Sequence, residues 1–311
     1  MQTIASFLFP RRIHLPPAEE RLVEVAAGVK VRCWCYWQPS GDRSQALTVI
    51  VVHGLEGSSD SQYMVGIARN ALAAGMNVVL MNQRNCGGMD HFAPTLYNSS
   101  LSADVGAVAR YVVENDGVSR FALIGFSMGG NLVMKQAGEW GSNGPREFRA
   151  VAAVCPAMDL AASADALHEP ANRIYELYFL WQLFRRLRRK AKFFPQHFDM
   201  ARLRGVTSLR LFDDRVTAPY CGFAGADDYY ARAAAANVVD RIAVPALIIH
   251  ATNDPFIRIQ PETVRRIRGN PHITYIETDD GGHCAFLAAR NGADDGRWAE
   301  REVVEFVRSA V

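Results

Sequence analysis

The stretch Phe121-Ala-Leu-Ile-Gly-Phe-Ser-Met-Gly-Gly-Asn-Leu-Val-Met-Lys-Gln136 contains a short apolar run, a serine between two glycines and a segment with helical spacing. The apolar run is typical of a strand buried on both faces of a sheet. A Gly-x-Ser-x-Gly string alone more often marks an ordinary turn, but this one lies between a predicted strand and a predicted helix. That context predicts a sharp turn that presents the hydroxyl of Ser127 above the carboxyl edge of a sheet.

Similar apolar runs occur on both sides of this turn, at residues 46–52, 77–81, 151–155, 246–250 and 273–277. Segments with helical spacing separate several of them, and two such segments stop at Gly75 and near Gly117, where glycine is the expected helix end. This alternation predicts an α/β fold with a doubly wound, mostly parallel sheet. An earlier pair of runs, 22–25 and 29–36, predicts an antiparallel hairpin at one edge.

Residues 160–242 break the alternation, because aromatic residues and arginine dominate them and no clean buried strand is present. A length of 311 residues would allow two domains in series. The positions of the strands instead predict one sheet interrupted by a helical cap. We expect an N-terminal segment with the edge hairpin, a first part of the core, the cap insertion and a second part of the core, at residues 1–45, 46–159, 160–242 and 243–311.

The composition argues against several classes of protein. Apolar residues make up 49% of the chain and charged residues 21%, as in an ordinary folded domain. A net charge of +2 is too small to favour nucleic acid as the partner. No run reaches the roughly 18 to 20 apolar residues that a membrane span requires. Six scattered cysteines and a start without a secretory leader pattern predict reduced thiols and a cytoplasmic location.

A serine nucleophile needs a base within hydrogen-bond reach and an acid that orients this base. In a sheet of this kind the expected chain order is serine, acid, histidine. Asp254 follows the predicted strand 246–250, and His283 follows the predicted strand 273–277 after two glycines. We therefore expect Ser127, Asp254 and His283 to converge on one edge of the sheet.

The proposed acid also has a plainer interpretation and two competitors. Asp-Pro is common in turns, so Asp254 alone would more often be a turn former than a catalytic acid. Asp279 and Asp280 are competitors, but they lie only a few residues before His283 on the same loop, which makes their approach to the imidazole awkward. The combination of three positions, more than any one of them, favours nucleophilic catalysis.

The negative charge of a tetrahedral intermediate needs hydrogen-bond donors that are already in place. We expect the first donor to be the backbone N–H of Met128, directly after the serine. The second should come from the loop after the strand 46–52, and the N–H of Leu55 is the preferred candidate. His53 is expected to hold this loop in position, not to transfer protons.

Five motifs carry a family resemblance, namely His53-Gly-Leu-Glu-Gly-Ser-Ser59, Asn82-Gln-Arg-Asn-Cys-Gly-Gly88, Gly125-Phe-Ser-Met-Gly-Gly-Asn131, Asn253-Asp-Pro-Phe256 and Gly281-Gly-His-Cys284. As a set they resemble the YheT-type branch of the α/β-hydrolases, and the likeness covers about residues 15–310. The resemblance implies the α/β-hydrolase fold with Ser127 as nucleophile, Asp254 as acid and His283 as base. It also implies an esterase of lipophilic or medium-chain acyl substrates.

The chain departs from this branch at two points. The branch usually has Arg-Gly-Cys where this chain has Arg84-Asn85-Cys86, and asparagine is the residue other than glycine that most readily adopts a positive φ. We therefore expect the turn at Asn85 to survive. The eukaryotic relatives of the branch are membrane-anchored lipid hydrolases, and no such anchor is expected here.

The cap contains a segment, Tyr175 to Phe194, in which six Lys or Arg at 185–192 follow a dense aromatic stretch. Helical spacing places Leu180, Leu183, Phe184 and Leu187 on one side. One interpretation is a cap helix whose apolar side covers the pocket and whose arginine side faces water. The other is an interfacial element that contacts an anionic membrane and delivers acyl chains, which would make a cytoplasmic protein peripheral to the inner membrane face.

These observations predict a serine hydrolase that cleaves carboxylic esters through an acyl-enzyme, with no metal and no organic cofactor. Two alternatives stay open: an acyltransferase that passes the acyl group to an alcohol or thiol, and a catalytically silent binding protein with the same fold. Cys33 and Cys35 are expected to pack in the core, and Cys284, beside the proposed base, to confer sensitivity to bulky thiol reagents. The sequence does not determine the oligomeric state.

Overall fold

One sheet carries the residues singled out above. A computed structural model describes residues 2–3, 11–39, 42–289 and 295–310. Its strands are β1 Glu19–Ala26, β2 Val29–Tyr36, β3 Thr48–Val52, β4 Asn77–Met81, β5 Phe121–Phe126, β6 Phe148–Val154, β7 Ala246–Ala251 and β8 Ile273–Thr278. They lie in the order β1-β2-β4-β3-β5-β6-β7-β8.

Strands β3 to β8 are parallel, whereas β1 pairs with β2 and β2 pairs with β4 in antiparallel register. The predicted doubly wound sheet and its antiparallel edge hairpin are therefore confirmed. The central strands are buried along their whole length, which explains why their sequences are continuous apolar runs rather than alternating ones.

The longer helices either cover the two faces of the sheet or form the cap. Two four-residue helices also lie within the cap. The helices are α1 Gln62–Ala73, α2 Ser102–Asp116, α3 Met128–Trp140, α4 Leu160–His168, α5 Arg173–Phe193, α6 Leu209–Phe212, α7 Ala218–Cys221, α8 Ala226–Ala233, α9 Pro261–Gly269 and α10 Trp298–Ser309. A π-helical turn, Asp213–Thr217, joins α6 to α7, and single 3₁₀ turns lie at Gly141–Asn143, Pro170–Asn172, Met200–Leu203, Ala235–Asn237 and Val239–Arg241. None of the helices in the described ranges is long and apolar enough to cross a membrane.

The core has one layer on each face of the sheet. Val105 of α2 and Leu132 of α3 pack with Ile50 on one face. Met64 of α1 and Val303 of α10 pack on the other face. Helices on both faces leave the carboxyl ends of the strands open at one edge, where loops can carry a site.

The insertion 160–242 is described in full and contains no strand, as expected for a helical cap. It has an apolar core of its own, in which Leu183 and Leu187 of α5 pack with Val216. The last part of the insertion packs differently, because Ala235 and Val239 belong to the main core beside α3. The part that covers the sheet edge is therefore built mainly from α4 to α8.

Candidate active site

Ser127 occupies the turn between β5 and α3 with φ 53° and ψ −118°. Two glycines make this turn possible. A Cβ on Gly125 would lie 2.3 Å from the carbonyl oxygen of Gly129, and a Cβ on Gly129 would lie 2.3 Å from that of Val52. The Gly-x-Ser-x-Gly pattern is thus a steric requirement of a strand and a helix that approach this closely.

The predicted acid and base are in contact. His283 Nδ1 lies 2.8 Å from Asp254 Oδ2, and the side chain of Asp254 is fully buried. The other carboxylate oxygen, Oδ1, accepts hydrogen bonds from the backbone N–H groups of Phe256 at 3.1 Å and Ile257 at 2.9 Å. Asp254 is therefore held in position by its own turn and can orient the imidazole through Nδ1–H.

The electrostatics of this pair favour an ionised carboxylate beside a basic imidazole. Burial alone would raise the pKa of Asp254, but the charge and hydrogen bond of His283 lower it below its usual value. Burial alone would lower the pKa of His283, but Asp254 outweighs this and raises it. An imidazolium formed by proton transfer would thus be stabilised where it forms. Asp280, a competitor in the sequence, instead accepts a hydrogen bond from the side chain of Asn253 at 2.7 Å.

Ser127, Asp254 and His283 follow β5, β7 and β8, so all three lie at the carboxyl edge of the sheet. Within the described ranges, the hydroxyl of Ser127 makes no hydrogen bond to His283. Nε2 of this imidazole lies 3.9 Å from Cys284 Sγ, and its ring centroid lies 4.4 Å from that of Phe256. The predicted acid and base are therefore in contact in this structure, whereas the predicted base and Ser127 are not hydrogen-bonded to each other.

The two residues with the expected oxyanion donors, Leu55 and Met128, line the same cleft as Ser127. The backbone N–H of Met128 is the first of α3 and has no acceptor within that helix. Neither this N–H nor that of Leu55 donates a hydrogen bond to any described residue, whereas the neighbouring amide of Gly54 bonds to the hydroxyl oxygen of Tyr63 at 3.0 Å. Both amides are free to bind a ligand oxygen.

His53 holds the loop that carries Leu55. Its ring is fully buried, accepts a hydrogen bond at Nε2 from the backbone N–H of Gln83 at 3.1 Å, and contacts the carbonyl oxygen of Gly54 through Nδ1 at 2.8 Å. This pattern assigns the proton to Nδ1. Burial lowers the pKa of His53 to about 4, so the ring is neutral. Its hydrogen bonds hold the loop in position.

A buried polar network, which the sequence did not reveal, joins this loop to the cap. Arg186 of α5 donates from Nε to Glu56 Oε1 at 2.7 Å and from Nη2 to Glu56 Oε2 at 3.1 Å. It also donates to the carbonyl oxygen of Asn85, and Tyr97 donates to Glu56 at 2.6 Å. Lys190, one turn further along α5, donates to Asn85 Oδ1 at 2.9 Å. Asn85 has φ 61°, so asparagine does replace the usual glycine of this turn.

The cleft above Ser127 has a volume of about 910 Å³ when its opening is included. Most of its lining is apolar and comes from the cap and from the segment after Asp254, namely Leu160, Leu167, Phe179, Leu183, Leu187, Leu209, Phe256 and Ile257. A carboxyl group, Asp213, lies among these residues and accepts hydrogen bonds from Thr217 at 2.6 Å and Tyr230 at 2.7 Å. Burial raises the pKa of Asp213 to about 6.

Helix α5 matches only part of the first interpretation of the cap, in which the apolar side covers the pocket and the arginine side faces water. Leu180, Leu183 and Leu187 do face inward, but so do Arg186 and Lys190. The outward face instead carries four large exposed apolar side chains, Ile174, Leu177, Tyr178 and Trp181, followed by Arg185, Arg188 and Lys192. Glu56 and the carbonyl oxygens that accept hydrogen bonds from Arg186 and Lys190 explain why these two cations are buried.

Four of the six cysteines lie in two settings that bear on the predictions. Cys33 and Cys35 of β2 are buried in the core, as predicted. Cys155 and Cys284 lie next to His283, and these three residues form a group whose ligand atoms could hold a metal ion.

Comparison with known proteins adds family information. A family model described as "alpha/beta hydrolase fold" matches residues 48–289. The Escherichia coli protein YheT is 33% identical over 92% of this chain and 84% of its own. Human phospholipase ABHD3 is 26% identical over 88% of this chain and 68% of its own. The yeast medium-chain fatty acid ethyl ester synthase/esterase 2 is 26% identical over 83% of this chain and 61% of its own.

Solved structures match at the level of the fold. The Pyrococcus furiosus esterase Pf2001 superposes with a TM-score of 0.62 at 17% identity and covers 97% of each chain. An esterase from Pyrobaculum calidifontis superposes with a TM-score of 0.61 at 18% identity, over 96% of this chain and 86% of its own.

Proposed function

Because the chain belongs to the α/β-hydrolase fold family, we propose that it is a serine hydrolase that cleaves carboxylic esters with Ser127, His283 and Asp254. The observation that carries the proposal is the buried Asp254–His283 pair, with a 2.8 Å contact, at the same sheet edge as the strained turn of Ser127. Relatives named phospholipase, esterase and monoacylglycerol lipase support ester cleavage in general.

The mechanism follows from these positions. His283 Nε2 accepts the proton of Ser127 while Oγ attacks the ester carbonyl, and the amides of Leu55 and Met128 bind the resulting oxyanion. The imidazolium returns its proton to the leaving alcohol, and an acyl-enzyme on Oγ remains. Water, deprotonated by the same imidazole, then releases the acid and regenerates Ser127. Asp254 keeps the proton of neutral His283 on Nδ1 throughout.

Medium-chain or lipid-like acyl esters suit the cleft best. Its walls near Ser127 are formed by leucine and phenylalanine side chains of the cap, such as Phe179 and Leu183. Each methylene of an acyl chain buried there contributes about 0.8 kcal/mol to binding. A series of p-nitrophenyl esters from acetate to dodecanoate should therefore show kcat/KM rising over the first several carbons; a maximum at acetate would contradict an acyl pocket.

Transfer of the acyl group to an alcohol or thiol is the second candidate. A yeast relative is named both a synthase and an esterase of medium-chain ethyl esters. Both reactions use the same acyl-enzyme, so the triad residues do not distinguish hydrolysis from transfer. Product analysis with added ethanol distinguishes them, because hydrolysis releases the acyl group as the free acid, whereas transfer releases it as the ethyl ester.

The nucleophile is tested by covalent labelling. A fluorophosphonate probe should modify wild-type protein at Ser127, and Ser127→Ala should lose the label together with at least about 10³-fold of kcat. Ser163, which also lines the cleft, provides a matched control as Ser163→Ala. Equal labelling of wild type and Ser127→Ala would contradict the assignment. Labelling of neither protein, without turnover of any ester, would favour a silent binding protein.

We further propose that the outer face of α5 contacts an anionic lipid surface. Ile174, Leu177 and Trp181 are 69%, 55% and 51% exposed, and helical spacing places them on one face. Arg185 and Arg188 continue this face toward the end of the helix. An apolar stretch beside cations is the pattern of a helix that lies in the headgroup region of a membrane. The inner face of the same helix lines the cleft, so the contact would lie close to the substrate entrance.

Vesicle co-sedimentation tests this contact. Binding should be stronger to vesicles that contain phosphatidylglycerol than to pure phosphatidylcholine, and added salt should weaken it. Arg185→Ser with Arg188→Ser should weaken binding about 30-fold, at about 1 kcal/mol for each charge. Trp181→Ser should weaken it also, whereas exposed positions elsewhere, Arg146→Ser and Leu22→Ser, should not. Binding that ignores both anionic lipid and salt would contradict the proposal.

A further inference from the structure

Two cysteines lie beside the imidazole of His283, and Cys284 Sγ is about as near to Nδ1, at 4.0 Å, as to Nε2. Cys155 directly follows β6, and Cys284 follows His283 in the loop after β8. The ligand atoms of Cys155, His283 and Cys284 all lie within 4.8 Å of one another, and Cys284 Sγ is 3.9 Å from His283 Nε2. Both cysteines have a positive φ, 44° for Cys155 and 60° for Cys284, which is an unusual backbone conformation for a residue with a side chain.

This set has the chemistry of a soft-metal site. Thiolate and imidazole are the ligands that Zn²⁺ and Cd²⁺ prefer. In a tetrahedral zinc site the ligand atoms are about 3.5 to 3.8 Å apart, so separations of up to 4.8 Å would have to shorten by about 1 Å. Asp254 already accepts the Nδ1 proton of His283, which leaves Nε2 as the metal-binding atom. A carboxylate behind a ligating histidine is the usual outer partner in such sites.

We propose that Cys155, His283 and Cys284 form a binding site for Zn²⁺ and that a bound ion reversibly inhibits the enzyme. The ion takes the lone pair of Nε2 that would otherwise accept the proton of Ser127. Binding releases the two thiol protons, and no redox step is involved. The binding site stands on geometry alone, whereas its inhibitory effect rests on the proposed function, with His283 as base.

The half-buried Cys284 provides the route of entry and the best test. Cd²⁺ titrated into chelator-stripped protein should produce thiolate charge-transfer absorption with a stoichiometry of one ion per chain. Cys284→Ala should weaken Cd²⁺ binding by at least about tenfold. Cys221→Ala removes another half-buried thiol, in the cap, and should bind Cd²⁺ as the wild type does. Ser127→Ala should also bind normally, because its hydroxyl is not a ligand.

The inhibitory effect is measured separately. ZnCl₂ should inhibit ester turnover by the wild type and Cys221→Ala, and EDTA should restore it; each variant is compared with its own rate without metal. Cys284→Ala should require at least about tenfold more Zn²⁺. Wild-type affinity for Cd²⁺ in Cys284→Ala would overturn the site, and Cd²⁺ binding without inhibition by Zn²⁺ would overturn the inhibitory effect. Cd²⁺ binding by a wild type that turns over no ester would contradict the proposed function alone.

Discussion

Ser127 shows how a single residue can be held in a costly conformation. Positive φ costs a residue with a side chain on the order of 1 to 3 kcal/mol. Three backbone hydrogen bonds offset this: Ser127 N–H donates to Val154 at 3.0 Å, and its carbonyl oxygen accepts from Asn131 at 3.0 Å and Ala157 at 3.2 Å. The surrounding strands and α3 therefore determine the backbone of the serine, and the hydroxyl is free to react.

Asp254 gives a prediction at the same scale. Asp254→Asn should lower kcat by about 10⁴-fold, because the amide favours the wrong tautomer of His283. Only a neutral imidazole can act as base, so kcat/KM falls as the pH drops through the pKa of His283. Since Asp254 raises this pKa, its removal should move the fall to lower pH.

The pH dependence of kcat/KM for both proteins checks this expectation. Asp279→Asn, which changes an exposed carboxylate on the His283 loop, serves as the matched control and should keep the wild-type profile. An unshifted acid limb in Asp254→Asn would show that another group sets the charge state of His283.

At the scale of elements, a buried salt bridge joins α5 to the loop 53–59. Arg186 and Glu56 form a salt bridge whose side chains are 8% and 6% exposed. Glu56 has φ 55° and directly follows Leu55, whose amide is a proposed oxyanion donor. We therefore expect the position of α5 to affect the proposed oxyanion donor through this buried ion pair, with Arg186 as a positioning residue.

Arg186→Met should lower kcat by at least about tenfold and change KM much less, because a displaced oxyanion donor weakens binding of the transition state only. Steady-state kinetics measure this split. Arg189→Met is the matched control, since Arg189 lies on the same helix, is 42% exposed and pairs with Asp90. Glu56→Gln, which keeps hydrogen-bonding capacity, should reproduce the loss of kcat with a smaller loss of stability. Unchanged kcat in a folded Arg186→Met protein would contradict the coupling.

At the scale of the whole molecule, residues near the start of the sequence contact both the His283 loop and the helix α10. The hydroxyl oxygen of Thr3 accepts a hydrogen bond from the backbone N–H of His283 at 2.8 Å, across 280 residues. Arg11 donates to Glu300 of α10 at 2.6 Å and to Asp295 at 2.9 Å. The N-terminal segment thus supports both the histidine loop and the last helix.

Arg11→Met should lower the free energy of unfolding by about 3 kcal/mol, because it leaves the buried carboxylate of Glu300 without its main partner. Denaturant unfolding followed by circular dichroism measures the change. The control is Arg308→Met on the same helix: Arg308 and its partner Glu305 are both 57% exposed, so the loss should stay below about 0.5 kcal/mol. Equal effects of the two substitutions would show that the Arg11 network contributes no more than a surface pair.

Much of the fold and the positions of the candidate site residues could be predicted because they depend on local pattern. Apolar runs, helical spacing and glycine stops located the strands, the cap and the edge hairpin. The Gly-x-Ser-x-Gly motif around Ser127 is also a local pattern, because a Cβ at Gly125 or Gly129 would clash with the backbone. Asp254 could be preferred over Asp280 because Asp280 lies only a few residues before His283 on the same loop, which makes its approach to the imidazole awkward.

The amino-acid sequence by itself thus determined the α/β class, the order of the strands along the chain and the candidate triad, because each is encoded in short-range periodicity or in a steric demand of the backbone. Only the tertiary structure decided that Arg186 and Lys190 turn inward while Trp181 faces water, and that Cys155 meets Cys284 beside His283. The physical reason is that burial of a charge depends on a partner, and the partners here, Glu56 and the carbonyl oxygens around Asn85, come from distant parts of the chain.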